Sequence, residues 1–280
     1  MRLPAVVPFP AFGRWAAALL MLWLLALTAG PALADALGLA LNAHGHAHLH
    51  PHGHPFIDAR TLLGIPNAMD VLTNAPLALA GLWGLAVLRG RTLPAATHRA
   101  AIVFFAGLVA TGFGSAVYHW APDAAGLVWD RLGMAMTFAG ALALAVAERV
   151  GQAPARQALR VLLPLALLSA VLPAVNGNVL PWAVLQFGGM ALIVALALRQ
   201  AVPGALGIRL GALIGLYALA KLLELGDEAV FRATADTVSG HSLKHLAAAA
   251  AAWPVIAAVA ARHRGRVVGR LRQNAPGTQA

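Results

Sequence analysis

The sequence predicts an all-α membrane protein, a bundle of seven transmembrane helices preceded by a signal peptide or an extra N-terminal helix. Hydrophobic residues make up 60% of the 280 residues and charged residues only 11%, whereas soluble domains carry about 25% charged residues. Seven apolar stretches approach the roughly 20 residues that a helix needs to cross a bilayer. The basic residues also gather on one side of the membrane that these stretches define.

The first element is a candidate leader, and we assign residues 1–34 to a signal peptide or signal anchor. Arg14 precedes an apolar run from Trp15 to Thr28, and Ala32-Leu33-Ala34 suits a signal peptidase. Cleavage and retention both place the next residues outside the cytoplasm. Of the two outcomes, the sequence favours cleavage.

Residues 35–57 form a histidine-rich extracytoplasmic linker. Such tracts are compositional signals of metal binding. The favoured interpretation is a polar linker with an opportunistic affinity for metal, and the alternative is capture of metal for a site in the bundle. The histidines are His44, His46, His48, His50, His52 and His54.

The membrane domain follows at residues 58–262. Gly and Pro punctuate the gaps between its apolar stretches, as in Asn176-Gly177-Asn178 and Pro203-Gly204. The predicted spans are 69–88, 100–119, 127–147, 158–175, 180–198, 206–225 and 241–261.

Charge asymmetry provides an independent test of this count. If the chain enters the first span from outside, fifteen of the twenty basic residues lie on the cytoplasmic side, which includes a basic tail at 263–280. Nine of the ten acidic residues lie on the other side, Glu148 being the exception. This distribution follows the positive-inside rule, which an even number of spans would break. We therefore expect a multi-pass protein with a cytoplasmic C-terminus.

The formal charge of +10 does not indicate a nucleic-acid partner. The basic residues are scattered over short loops and the tail, with no aromatic stacking platform or recognition-helix pattern. Cysteine is absent, so a transition metal would have to be held by histidine and carboxylate groups.

Five polar residues in or at the ends of spans mark the candidate site: Ser115, His119, Asp130, His241 and His245. Ionisable groups within a membrane are costly and usually functional. In the predicted topology all five approach the outer leaflet. The two histidines of the last span are four residues apart, so their rings share one helix face about 6 Å apart. The serine and histidine of the second span have the same spacing.

Three imidazoles with an open fourth position are typical of catalytic zinc, which acidifies a bound water to a pKa near 7. Iron or cobalt can use the same ligands. Plainer interpretations also exist: His119 as an interfacial side chain, Ser115 bonded to the Thr111 carbonyl, and Asp130 paired with Arg131. The last two histidines could instead ligate haem. Together the five residues favour a metal site.

A second polar cluster lies near the outer end of the sixth span. Lys221 and Glu224 are one helical turn apart, and Asp227 and Glu228 follow. The favoured interpretation is an ion pair that stabilises the helix, and the alternative is a supporting role for the metal site or contact with a lipid headgroup. We expect His98 and His263 to be cytoplasmic surface residues.

The order of the site motifs follows a known pattern. Ser115-Ala-Val-Tyr-His119 is followed eleven residues later by Asp130, and then by Gly240-His241-Ser-Leu-Lys-His245. This pattern resembles the alkaline ceramidase family, part of a superfamily of seven-span membrane hydrolases that includes the adiponectin-receptor type. The resemblance covers about residues 56–262. It implies that His119, His241 and His245 bind zinc, while Ser115 and Asp130 assist the chemistry.

The resemblance implies a zinc-dependent amidase that hydrolyses the N-acyl bond of a ceramide-like lipid in the bilayer, releasing a fatty acid and a sphingoid-type base. Asp130 would act as the base and Ser115 would stabilise the oxyanion. One alternative is a hydrolase of another lipid amide or ester with the same zinc site. Another is a receptor or structural protein that keeps the metal for stability.

The sequence departs from the family pattern before the first span. Eukaryotic members have an acidic, tryptophan-containing calcium loop there. The equivalent stretch here has no Trp or Glu, which argues against calcium. The oxygen-bearing residues that the stretch does offer are Asp58, Asn67, Asp70 and Asn74.

The alanine- and arginine-rich composition and the leader indicate a bacterial member, located in the inner membrane.

Overall fold

The computed structural model describes residues 10–36 and 56–262. These residues form helices joined by short loops, which confirms the predicted all-α membrane bundle. The histidine-rich tract at 44–54, His263 and the basic tail lie outside the described residues. The helices are α1 (Pro10–Thr28), α2 (Gly30–Ala36), α3 (Ala68–Leu88), α4 (Ala95–Trp120), α5 (Ala124–Arg149), α6 (Gln152–Asn176), α7 (Leu180–Ala197), α8 (Leu210–Leu225), α9 (Asp227–Ala233) and α10 (Gly240–Arg262).

Each of the seven predicted spans corresponds to a helix, but the seven differ in length. Six of them, α3 to α7 and α10, are long and apolar enough to cross a membrane. The predicted sixth span is the 16-residue helix α8, about 24 Å long, against a hydrocarbon core of roughly 30 Å. In the leader, α1 and α2 together are long and apolar enough to cross a membrane, but the two helices meet at a bend of 71°.

Helices α4 and α5 form the centre of the bundle and run antiparallel across a short loop. Asp123 caps α5 by accepting a hydrogen bond from the Gly126 N–H at 2.6 Å. A Cβ on Gly114 would overlap the Trp129 carbonyl, and one on Gly133 would overlap the Thr111 backbone. Small residues allow this close approach of two helices in a membrane. The contact fixes the end of α4 against the start of α5.

The other end of α5 carries the acidic residue that departs from the charge pattern. The Glu148 carboxylate is buried and accepts hydrogen bonds from the backbone N–H groups of Leu206, Gly207 and Ile208, at 2.6 to 2.9 Å. It therefore satisfies three backbone donors in the loop before α8. A buried charge is stable when it is hydrogen-bonded in this way.

The leader helix α1 packs against the bundle through two polar contacts. The buried indole of Trp23 donates a hydrogen bond to Ser169 Oγ on α6 at 2.8 Å. The buried amide of Asn178, just before α7, donates to the carbonyl of Ala26 at 2.9 Å. The leader thus covers the junction of α6 and α7.

Candidate metal centre

The three predicted metal ligands meet at one end of the bundle. Side-chain nitrogens of His119, His241 and His245 all lie within 4.8 Å of one another, and the three residues are 2 to 4% exposed. The Nε2 atoms of His119 and His241 are 3.2 Å apart. Two imidazole nitrogens bound to one tetrahedral zinc ion would be about 3.3 Å apart. The three imidazoles could therefore hold a metal ion.

Helix ends bring these ligands together. His119 lies in the last turn of α4, whereas His241 and His245 lie in the first turns of α10. Ser239 caps α10 by accepting from the Ser242 N–H at 2.9 Å. Asp227 accepts from the His241 N–H at 2.8 Å. The start of α10 is thereby held in register with α9.

A threonine on the first span contacts His245 and favours one tautomer of its ring. The Thr73 hydroxyl donates its proton to the Met69 carbonyl at 2.6 Å. Its oxygen lies 2.9 Å from His245 Nδ1 and so accepts a hydrogen bond from the Nδ1–H group. Nε2 then carries the free lone pair, and it is buried with no hydrogen-bond partner among the described residues. A metal ligand needs this arrangement.

The segment at 56–60 covers one face of the centre. The Phe56 ring is 1% exposed, with its centroid 4.4 Å from that of His119 and 4.1 Å from that of His241. Arg60 pairs with Asp58 at 2.6 Å and donates to the Thr237 carbonyl at 2.7 Å. The hydrogen bond with Asp58 raises the pKa of Arg60. These contacts hold Phe56 over the histidines and exclude water there.

A buried aspartate on α3 supports the same end of α10. Asp70 is fully buried and accepts a hydrogen bond from the Ser242 hydroxyl at 2.7 Å. The sequence pattern indicates Asp70 only as a possible calcium ligand and carries no signal for Thr73. A carboxylate inside a predicted span was the signal available for Asp70.

The other oxygen-bearing residues of this stretch also make structural contacts. Asn67 donates to the His119 carbonyl at 2.8 Å, and Asn74 donates to the Asp70 carbonyl at 2.7 Å. Asp58 holds Arg60. Residues of the stretch at 58–74 therefore support the histidine centre through hydrogen bonds.

The two predicted catalytic residues lie at the same end of the bundle as the histidines. Ser115 is buried one turn from His119 on α4. Asp130 is half-buried on α5, and its carboxyl interacts with Ser115 and Lys244. The buried Arg131 is also coupled electrostatically to Asp130. The structure thus brings the hydroxyl and the carboxyl to the end of the bundle that holds the three imidazoles.

The predicted ion pair of Lys221 and Glu224 is present at 2.5 Å. Lys244 extends it, binding the other oxygen of Glu224 at 2.8 Å. By contrast, His98 is half-buried at the start of α4, twenty-one residues and about 31 Å of helix from His119.

No family model, curated protein or solved structure matches the chain. A functional assignment therefore depends on the site residues, their spacing and their geometry.

Proposed function

We propose that the protein is an intramembrane zinc-dependent hydrolase that cleaves the N-acyl bond of a ceramide-like lipid. The main support is the convergence of three buried imidazoles whose nitrogens lie within 4.8 Å of one another. The second support is the lone pair of His245 Nε2, which points to no hydrogen-bond donor among the described residues. The substrate class follows from the motif resemblance.

The side chains around the histidines divide the chemistry among them. Zinc bound by the three histidines would acidify a water molecule and polarise the amide carbonyl. Asp130 takes the proton of the water and passes it to the leaving amine. The Ser115 hydroxyl donates a hydrogen bond to the developing oxyanion, a contribution of roughly 3 kcal/mol in a preorganised site. Phe56 keeps bulk water away from the face that it covers.

Zinc content and fatty-acid release test this proposal together. We expect His241→Ala to lose both bound zinc and hydrolysis. Asp130→Asn should keep zinc and lose at least about a hundredfold in rate, because a general base is removed. His98→Ala is the matched control, since it removes a histidine at the far end of α4. Full hydrolysis by the His241→Ala protein would refute the proposal.

The substrates should be a panel of lipid amides and esters with equal acyl chains. Release of fatty acid from ceramide supports the proposed substrate, whereas release from other members alone indicates a different lipid hydrolase with the same centre.

The second candidate is a membrane protein in which the metal only stabilises the fold. The near-complete burial of the three histidines favours it, because structural metal sites are closed. In that case Asp130→Asn would leave function intact, and metal removal would lower the unfolding temperature without affecting any lipid.

A further inference from the structure

Two ammonium groups and one carboxylate form a cluster where α8 and α10 meet. Lys221 Nζ lies 2.5 Å from one Glu224 oxygen, and Lys244 Nζ lies 2.8 Å from the other. Each carboxylate oxygen thus binds one ammonium. The Asp130 carboxyl also interacts electrostatically with Lys244, so the two ammonium groups lie among acidic groups without being covered by them.

The ammonium groups keep hydrogen-bonding capacity. Each has three N–H donors, and Glu224 takes one from each lysine. In the part of the chain that the structure describes, neither Nζ has another hydrogen-bond acceptor. The two side chains are 30% and 19% exposed, so an acceptor from outside the protein can reach them.

The cluster adjoins both the start of α10 and an exposed apolar surface of α8. Lys244 lies between His241 and His245 on α10, and the Asp130 carboxyl interacts with it. On α8, Leu222 and Leu225 are 66% and 84% exposed. A lipid against α8 can therefore place an acyl chain on the leucines and its headgroup at the ammonium groups.

We infer that the substrate is an N-acyl lipid whose headgroup carries an anionic group, a phosphate or a carboxylate, bound by Lys221 and Lys244. The inference rests on the proposed function and specifies its substrate. An anion adds the acceptors that the ammonium groups lack, and hydrogen bonds between two charged groups are stronger than those to a neutral acceptor. A neutral headgroup would offer only the weaker kind.

Two matched lipid pairs test the headgroup. The first is N-palmitoyl sphingosine and its 1-phosphate, and the second is N-palmitoylserinol and N-palmitoylserine. The full-length zinc-loaded protein should be assayed in nanodiscs of zwitterionic lipid. We expect kcat/KM to be at least about tenfold higher for the anionic member of one pair or both, the effect of a charge-assisted hydrogen bond.

Variants connect the preference to the cluster. Lys244→Met and Lys221→Met should reduce the preference to within about twofold, mainly by raising KM, because the bound anion loses one ammonium. Lys244→Arg should retain it. Arg232→Met is the matched control, because Arg232 is also ion-paired but is 74% exposed on α9, away from the cluster; it should leave the preference unchanged.

Equal kcat/KM for both members of each pair would overturn the headgroup inference and leave the hydrolase proposal standing. A preference that depends on anionic bystander lipids would also overturn it, since the cluster would then bind the membrane surface. If no lipid is hydrolysed, the proposed function fails, and equilibrium binding of the same pairs to the His241→Ala protein still decides the headgroup. Tighter binding of the anionic members supports the inference, and equal binding contradicts it.

Discussion

At the residue scale, His245 depends on a hydroxyl group from another helix. Because Thr73 donates its proton to the Met69 carbonyl, its oxygen is placed to accept a hydrogen bond from His245 Nδ1. This contact orients the ring and leaves Nε2 available. A hydrogen bond to the ring nitrogen that does not bind the metal sets the orientation and basicity of a metal-binding histidine.

Replacing Thr73 with Val should lower zinc affinity about 10- to 100-fold, because the acceptor for His245 Nδ1 is lost. Competition with a zinc chelator measures this directly. Thr73→Ser should restore the affinity, since it retains the hydroxyl. Thr28→Val is the control, because among the described residues that hydroxyl bonds only the carbonyl of Leu24 in its own helix. Unchanged affinity in Thr73→Val would contradict the assigned role.

The sequence indicated the candidate metal ligands, but it did not indicate the residues that hold those ligands in place. The spacing of His241 and His245 is local, so it can be recognised within one helix. The contacts of Thr73 with His245 and of Asp70 with Ser242 join residues 172 positions apart. Such contacts depend on how the helices pack, and no local pattern encodes them.

At the element scale, α4 and α5 approach closely because glycines occupy their interface. We expect Gly133→Ala to lower the free energy of unfolding by about 1–3 kcal/mol, since the added methyl group overlaps the Thr111 backbone. Thermal unfolding in detergent measures the change.

The matched substitution is Gly211→Ala in α8, where an added Cβ meets no atom within 4 Å. It should stabilise the protein by about 0.4–1 kcal/mol, because alanine loses less conformational freedom on folding. A similar loss in both variants would show that packing between α4 and α5 is not the cause.

The leader is the second element with a testable consequence. Its motif favoured cleavage after Ala34, but in the structure Trp23 and Asn178 bury polar contacts between the leader and the bundle. Cleavage would leave Ser169 and Asn178 without these partners. We therefore predict that the leader is retained, and that the intact mass of the purified protein includes residues 1–34.

A stability comparison accompanies the mass measurement. Trp23→Ala should lower the unfolding temperature, whereas Trp15→Ala in the same helix should have little effect because Trp15 is half exposed. A mature chain beginning at Asp35 would show that the leader is a cleaved signal peptide.

At the scale of the whole molecule, the alternation of helices gathers the polar chemistry at one end. The end of α4, the starts of α5 and α10 and the end of α8 meet there, while Glu148 lies at the other end of α5. Hydropathy and charge predicted this arrangement because span order alone fixes which helix ends lie together. The sequence overestimated the length of α8, since residues 206–208 are apolar but form part of a loop held by Glu148.

The charge distribution predicts which end faces outward. Because the natural chain has no cysteine, single cysteines report sidedness without background. Thr237 lies in the exposed loop before α10, at the metal end, and Gln200 lies in the exposed loop after α7, at the opposite end.

In intact bacterial cells, a membrane-impermeant maleimide should label Thr237→Cys, and it should label Gln200→Cys only after the membrane is permeabilised. Retained zinc binding in both variants serves as the folding control. The reverse labelling pattern would place the metal centre on the cytoplasmic side, and a lipid substrate would then have to come from the inner leaflet.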